Sequence, residues 1–122
     1  MAENPIFSQG AASVTALAKE TVFADNGIVS RTLLSTPSVR MTLFAFAEGQ
    51  ELTEHASTRH AVVQMLSGRC DFTVSGVVHA LKAGDLLYMP PSTPHAVRAT
   101  EPFSMLLTLA RDEPAGSAAT RS

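Results

Sequence analysis

The sequence has few cysteines, few charges and no long apolar run, and each of these limits what the protein can be. Its 122 residues include one cysteine, Cys70, so no internal disulfide can form, and a free thiol is typical of a reducing cytoplasm. Charged residues make up 16% and the net charge is −2, which disfavours nucleic acid or an anionic membrane surface as a partner. No apolar stretch reaches the roughly 20 residues that a membrane helix needs, and the first residues show no signal-peptide pattern. We therefore expect a cytoplasmic protein without a membrane partner.

The length of the chain and the composition of its two ends predict one domain. A chain of 122 residues suits a single domain, and no repeat with the period of a solenoid or propeller is visible. Residues 111–122 are small and polar and include proline and glycine, and residues 1–10 are similar, so both ends are predicted to be flexible. The folded domain is expected to span residues 11–110.

Short runs of apolar and β-branched residues alternate with turns throughout this span. The predicted strands are 28–34, 39–47, 61–66, 69–74, 77–81, 86–89, 95–99 and 103–110. Glycine and proline dominate the connections between them, where a strand has to end or turn. Only residues 11–20 suggest a helix, and an N-terminal arm is the alternative there. Eight or more strands with frequent turns predict an all-β sandwich or barrel.

The run 39–47 is apolar on both faces. Met41 and Leu43 share one face, which we expect to line the barrel, while Phe44 and Phe46 share the other. A strand that is apolar on both faces is normally covered on both faces. A second copy of the chain is the natural cover in so thin a domain, so the pattern predicts a homodimer.

Two segments resemble the paired motifs of the cupin superfamily: GQELTEHASTRHAVVQMLSG at 49–68 and GDLLYMPPSTPH at 84–95. Further segments, between residues 28 and 111, resemble a group of small single-domain bacterial and archaeal cupins. The resemblance implies a cupin jelly-roll β-barrel, or double-stranded β-helix. It also implies that His55 and His95 face into one end of that barrel.

The resemblance further implies a metal site, from which this chain departs. Metal-binding cupins carry three histidines and a carboxylate in these motifs, and His55 and His95 match the first and last histidine positions. The second histidine position falls on Ser57 and the acidic position on Ala61. Two imidazoles hold a metal weakly, since catalytic sites usually have three protein ligands. We predict that His55 and His95 bind a divalent transition metal (Fe, Mn, Ni, Cu or Zn) together with a third donor or water.

His60 is the candidate third metal ligand. If Ala61 faces inward, strand alternation turns His60 to the opposite face. If the strand begins later, His60 belongs to the preceding loop and reaches the pocket, because a shift of one residue reverses the facing. A solvent-exposed loop histidine is the alternative interpretation.

The rest of the barrel lining is predicted to be apolar, and its candidate residues are Met41, Leu43, Val63, Met65, Phe72, Val74, Leu87, Met89, Val97, Met105 and Leu107. The residues expected to contact a small-molecule ligand are Met41, Val63, Met65, Phe72 and Met105. Methionines make such a pocket adaptable in shape. An apolar cavity with two histidines as its polar groups has the general character of a small-molecule site.

Three kinds of function remain open from the sequence. A metal-dependent enzyme of this type would be an oxygenase, an isomerase or a hydrolase. A metal-free enzyme would use a neutral imidazole as a general base, because histidine titrates near physiological pH. A protein without catalysis would bind or sense a small molecule. The sequence names no substrate and does not decide between an enzyme and a binding protein.

Overall fold

Two antiparallel sheets make up the computed structural model of the protein, which describes residues 4–112. Nine strands lie within that range, so the all-β prediction is confirmed. One sheet has the order β1-β2-β9-β4-β7 and the other has the order β3-β8-β5-β6. The strands are β1 (Ile28–Ser35), β2 (Val39–Phe46), β3 (Glu51–His55), β4 (His60–Ser67), β5 (Arg69–Val74), β6 (Val77–Lys82), β7 (Leu86–Met89), β8 (His95–Ala99) and β9 (Phe103–Ala110).

Strand β3 is the one strand among these that the sequence does not predict. Its residues are ELTEH, and four of the five are exposed, so it lacks the apolar alternation that marks a half-buried strand. It forms because β8 pairs with it, with Leu52 opposite Val97 and His55 opposite His95. A register shift lies between Leu52 and His55. This irregularity lets both side chains reach the same cavity, although regular alternation would turn them to opposite faces.

The main core lies between the two sheets. Its fully buried members include Phe46, Val63, Met65 and Phe103. The Phe46 and Phe103 rings stack with centroids 4.5 Å apart. Burying a large apolar side chain stabilises a fold by roughly 1.5–3 kcal/mol, so this layer fixes the distance between the sheets. That distance in turn sets the size of the barrel interior.

Strand β2 faces the opposite way from the sequence prediction. Phe44 and Phe46 point between the sheets and pack in the main core, whereas Leu43 belongs to a second cluster with Leu33 and Leu106. Met41 packs against that second cluster, on the outer face of the five-stranded sheet. The expectation that Met41 and Leu43 line the barrel is wrong, because a strand apolar on both faces carries no signal for which face is inside.

The N-terminal segment covers this second cluster. The Ile6 and Phe7 amides donate hydrogen bonds of 3.1 and 2.8 Å to the carbonyls of Thr32 and Leu33, and both side chains pack on the cluster. Leu17 packs there too, at the start of the one-turn helix α1 (Leu17–Glu20). The cover that the sequence assigned to a second copy is therefore provided, at least here, by residues of the same chain.

Residues 11–20 and 111–122 lie outside the predicted strands, and the sequence makes a structural prediction for each of these segments. Residues 11–20 form an extended arm that ends in α1, which combines the two alternatives drawn from the sequence. The tail predicted to be flexible, 111–122, lies outside the described residues except for its first two. Over residues 4–112, no helix has the length and apolar character needed to cross a membrane.

Candidate functional site

Two histidines meet at one end of the barrel. His55 ends β3 and His95 begins β8, and these adjacent strands pair the two residues directly. Their ring centroids lie 4.3 Å apart, with the ring planes inclined by 60°. His55 is exposed and His95 is half-buried, so a small molecule at the mouth has access to both. The structure thus brings together the two residues that match the sequence motifs.

Hydrogen bonds assign the same tautomer to both rings. His55 Nδ1 lies 2.8 Å from the Thr53 carbonyl oxygen, and His95 Nδ1 lies 2.9 Å from the Thr93 carbonyl oxygen. A carbonyl oxygen only accepts, so each Nδ1 carries the proton and donates it. When such a ring is neutral, its Nε2 atom has a free lone pair, which suits it to bind a metal or to accept a hydrogen bond.

A cavity of about 90 Å³ lies beside the two imidazoles. Three of the five predicted ligand contacts, Val63, Phe72 and Met105, line it. The Phe72 ring lies nearly parallel to that of His95, at 24° and a centroid distance of 5.9 Å. Apart from the imidazoles the lining is apolar, which agrees with the character predicted for it.

The other two predicted contacts do not line this cavity. Met41 lies on the far side of the five-stranded sheet. Met65 is buried in the main core beside Cys70, whose Sγ is 3.8 Å from the methionine sulfur. The sequence also misses two lining residues, Phe44 and Leu52. Phe44 is missed because β2 faces the opposite way from the prediction. Leu52 is missed because β3 is not predicted, and the only sequence signal for Leu52 is that it is the one apolar residue in ELTEH.

His60 does not join the other two histidines. It is the first residue of β4, and its neighbour Ala61 points inward with 3% exposure, so alternation turns His60 to the outer face. Its Nε2 donates to Asp112 Oδ1 at 3.0 Å, and its Nδ1 accepts from the Tyr88 hydroxyl at 2.8 Å. With both ring nitrogens engaged there, His60 contributes no donor to the cavity that the other histidines line.

Two imidazoles are the donors found at the barrel end among the described residues. Across residues 4–112, no group of three or more histidine, cysteine, aspartate or glutamate side chains is placed to hold a metal ion. Ala61 occupies the inward position where metal-binding cupins carry a carboxylate. The residues present therefore fit an ion that takes two protein nitrogens and completes its shell with water or a bound molecule.

Two connections form a fixed rim beside the histidines. Ser92 has a φ of +65°, and its amide donates to the Ser57 carbonyl at 2.6 Å, which joins the connection after His55 to the one before His95. The Thr93 hydroxyl donates to the Pro90 carbonyl at 2.7 Å. A non-glycine residue at positive φ costs about 1–3 kcal/mol, so this conformation is maintained by its surroundings.

Cys70 is buried and its thiol is unreactive near neutral pH. It is 1% exposed and packs as a small apolar core residue. Burial, with a smaller effect from the negative charge of Asp71, raises the pKa of the thiol to about 12. Because the thiolate is the reactive form, Cys70 is not a nucleophile near neutral pH.

Comparisons with known proteins agree with this architecture. A conserved protein of unknown function from Streptococcus pyogenes is 31% identical, with a TM-score of 0.80 over 93% of this chain and 97% of its own. A Cupin 2 conserved barrel domain protein from Leptotrichia buccalis is 34% identical, with a TM-score of 0.74 over 77% of this chain and 46% of its own. A cupin superfamily protein from Desulfitobacterium hafniense DCB-2 is 22% identical, with a TM-score of 0.78 over 92% of this chain and all of its own, and supports the fold alone.

The sequence family is shown by a match over more than half of the chain. No curated protein sequence matches significantly. The Cupin_2 family, described as a cupin domain, matches residues 42–109, which run from β2 almost to the end of β9. The expected jelly-roll fold is confirmed by the sheet topology together with these structural neighbours. The chain belongs to the cupin domain family.

Proposed function

We propose that this cupin-domain protein binds a small molecule at the His55–His95 end of the barrel and holds a divalent transition metal there through the two Nε2 atoms. The observation that carries the proposal is the matched pair of Nδ1 hydrogen bonds to backbone carbonyls. Histidines that bind metals almost always donate their other ring N–H in this way, which fixes both tautomer and ring orientation.

The metal proposal specifies which ions bind and what chemistry they supply. Imidazole nitrogens suit Fe, Ni, Cu and Zn and are found with Mn as well, so the ion is drawn from these five. When bound, such an ion supplies Lewis acidity and a template for a substrate. The residues of this chain hold it through His55 and His95, and the apolar walls exclude bulk water from the bound molecule. If the protein is an enzyme, the reaction is then of the oxygenase, isomerase or hydrolase type.

A metal-free binding or sensing protein is the second candidate. It is favoured by Ala61 at the carboxylate position and by the two-donor set within residues 4–112. In that case each Nε2 accepts a hydrogen bond from the bound molecule, and no turnover is expected.

Elemental analysis of the full chain distinguishes the two candidates. We would compare the wild type with His55→Ala and His95→Ala after identical dialysis, with His79→Ala as the control because His79 is exposed on β6. The metal proposal predicts a near-stoichiometric ion in the wild type and in the His79 variant, and its loss in the other two. Absence of metal after incubation with each of the five ions would contradict the metal proposal and leave the metal-free candidate.

We also propose, from the sequence, a cytoplasmic homodimer. Sedimentation velocity tests the assembly, with a species of twice the 12.9 kDa chain mass expected. A single species at the chain mass over the micromolar range would contradict it.

A further inference from the structure

Within residues 4–112, no charged side chain lines the cavity beside His55 and His95. The ten residues that line it include no lysine, arginine, aspartate or glutamate. Arg98 and Asp71, on the neighbouring strands, instead line a groove on the outer face of the four-stranded sheet. A buried charge without a partner is costly, so in the absence of a metal this cavity selects against phosphates, polycarboxylates and ammonium groups.

The polar atoms of the cavity are acceptors. Both Nδ1–H groups are already committed to the Thr53 and Thr93 carbonyls, so in the metal-free site each imidazole, when neutral, offers the cavity its Nε2 lone pair. A molecule that matches them has to donate a hydrogen bond. A molecule with many hydroxyls, such as a sugar, would bury more polar groups than the cavity can satisfy, at a cost for each one.

The apolar walls favour an aromatic ring. Phe44 and Phe72 contribute benzene rings beside the two imidazoles, and Met89 and Met105 contribute sulfur atoms. Aromatic rings gain from contact with other rings and with methionine sulfur beyond the burial of area alone. The volume of about 90 Å³ is smaller than the roughly 150 Å³ of an apolar cavity that holds benzene, so the cavity takes at most a single ring, with its polar end at the open mouth beside the exposed His55.

The rim restrains the two connections beside the cavity. The Ser92–Ser57 backbone hydrogen bond and the three prolines at 90, 91 and 94 restrict the two connections that flank the histidines. A preformed site loses little entropy when it binds a ligand of matching size, so a small rigid molecule is favoured over a long flexible one.

We propose that the molecule bound in this cavity is a monocyclic phenol, an uncharged aromatic ring whose hydroxyl donates to Nε2 of His55 or His95. This inference rests on the metal-free candidate above, in which both Nε2 atoms remain available as acceptors, and it adds the chemical class of the ligand. The hydroxyl satisfies one imidazole acceptor, the ring contacts the phenylalanine and methionine walls, and no charge is buried.

Methionine-methyl NMR of the full chain tests the inference with four probes: phenol, toluene, benzoate and glucose. Met89 and Met105 line the cavity, and Met41, on the far side of the sheet, is the internal control. Met89→Leu and Met105→Leu variants assign the signals. We expect phenol to shift both cavity methyls saturably and to bind about fivefold more tightly than toluene, the value of one ordinary hydrogen bond. Benzoate and glucose should leave these methyls unchanged at the same concentrations.

The other outcomes separate this inference from the proposed function. Tighter binding of benzoate or glucose than of phenol overturns the phenol class and leaves the cavity as a small-molecule site. Equal binding of toluene and phenol overturns the hydrogen bond to Nε2. If no probe shifts Met89 and Met105, the phenol inference is wrong, and the metal analysis described above decides the proposed function independently.

Discussion

Each imidazole at the barrel end is held by the carbonyl of the residue two positions before it. Thr53 does this for His55 and Thr93 does it for His95, on two strands that are far apart in the sequence. The motif spacing predicts that the two histidines meet. It does not predict their tautomer, because the Nδ1 contacts depend on side-chain rotamers and on backbone carbonyls that any residue type would supply. The free Nε2 pair is therefore a result of the folded geometry.

We predict that the buried thiol of Cys70 causes a loss of stability at alkaline pH. Its pKa is raised to about 12 in the fold from an ordinary value of 9.0, so above pH 9 the unfolded chain loses this proton while the folded chain keeps it. The free energy of unfolding falls with rising pH between about 9 and 12 as a result, by up to about 1.4 kcal/mol per pH unit from this group. Urea denaturation of the wild type and Cys70→Ala across this range measures the difference. An identical pH slope in both proteins would show that Cys70 does not contribute.

We predict that adding one methyl group at Gly68 lowers the free energy of unfolding strongly. It has a φ of +73°, and a Cβ there would overlap the Pro102 carbonyl oxygen and lie 2.7 Å from Phe103 Cα. Gly76 has a similar φ of +82° with nothing near an added Cβ, so it is the matched control. We expect Gly76→Ala to cost about 1 kcal/mol of unfolding free energy and Gly68→Ala about 3 kcal/mol. Chemical denaturation compares them, and equal losses would mean that the backbone around Pro102 yields freely.

The strands show why the sequence identifies elements better than it identifies their faces. The eight strands predicted from apolar runs all occur, because alternation and turn residues are local signals. The facing of β2 is not local: Met41 and Phe44 are both apolar, and pairing with β9 decides which of them points inward. Strand β3 depends on its partner in the same way, and its register shift brings Leu52 and His55 into one cavity. Two of the ten lining residues follow from long-range pairing that no short segment encodes.

We predict that a substitution in the N-terminal segment, far from the candidate site, destabilises the fold. Phe7 packs on the outer cluster with Leu33 and Leu43, whereas Val14, in the same segment, is 97% exposed. We expect Phe7→Ala to lower the free energy of unfolding by about 2 kcal/mol, and Val14→Ala to stay within about 0.5 kcal/mol of the wild type. Urea denaturation measures both. A neutral Phe7→Ala would indicate that another surface, such as a second copy of the chain, replaces this cover.

The whole molecule has the fold of its family, but its candidate site has fewer metal donors than the sites of the metal-binding members. The cupin domain match and the sheet order account for the barrel and for the position of His55 and His95 at its end. The inward Ala61 and the outward His60 account for the small donor set. The result is an apolar cavity lined by two imidazoles whose Nδ1 atoms are bonded to backbone carbonyls.

Histidine-selective ¹H–¹⁵N NMR during a Zn²⁺ titration of the full chain tests this central claim most directly. The account predicts that His55 and His95 begin as Nδ1–H tautomers and that their Nε2 resonances shift together at the same zinc ratio. His60, bonded to Asp112 and Tyr88, and the exposed His79 should change only at higher zinc. Independent titration of His55 and His95, or a first response at His60, would contradict the claim that the two imidazoles act as one site.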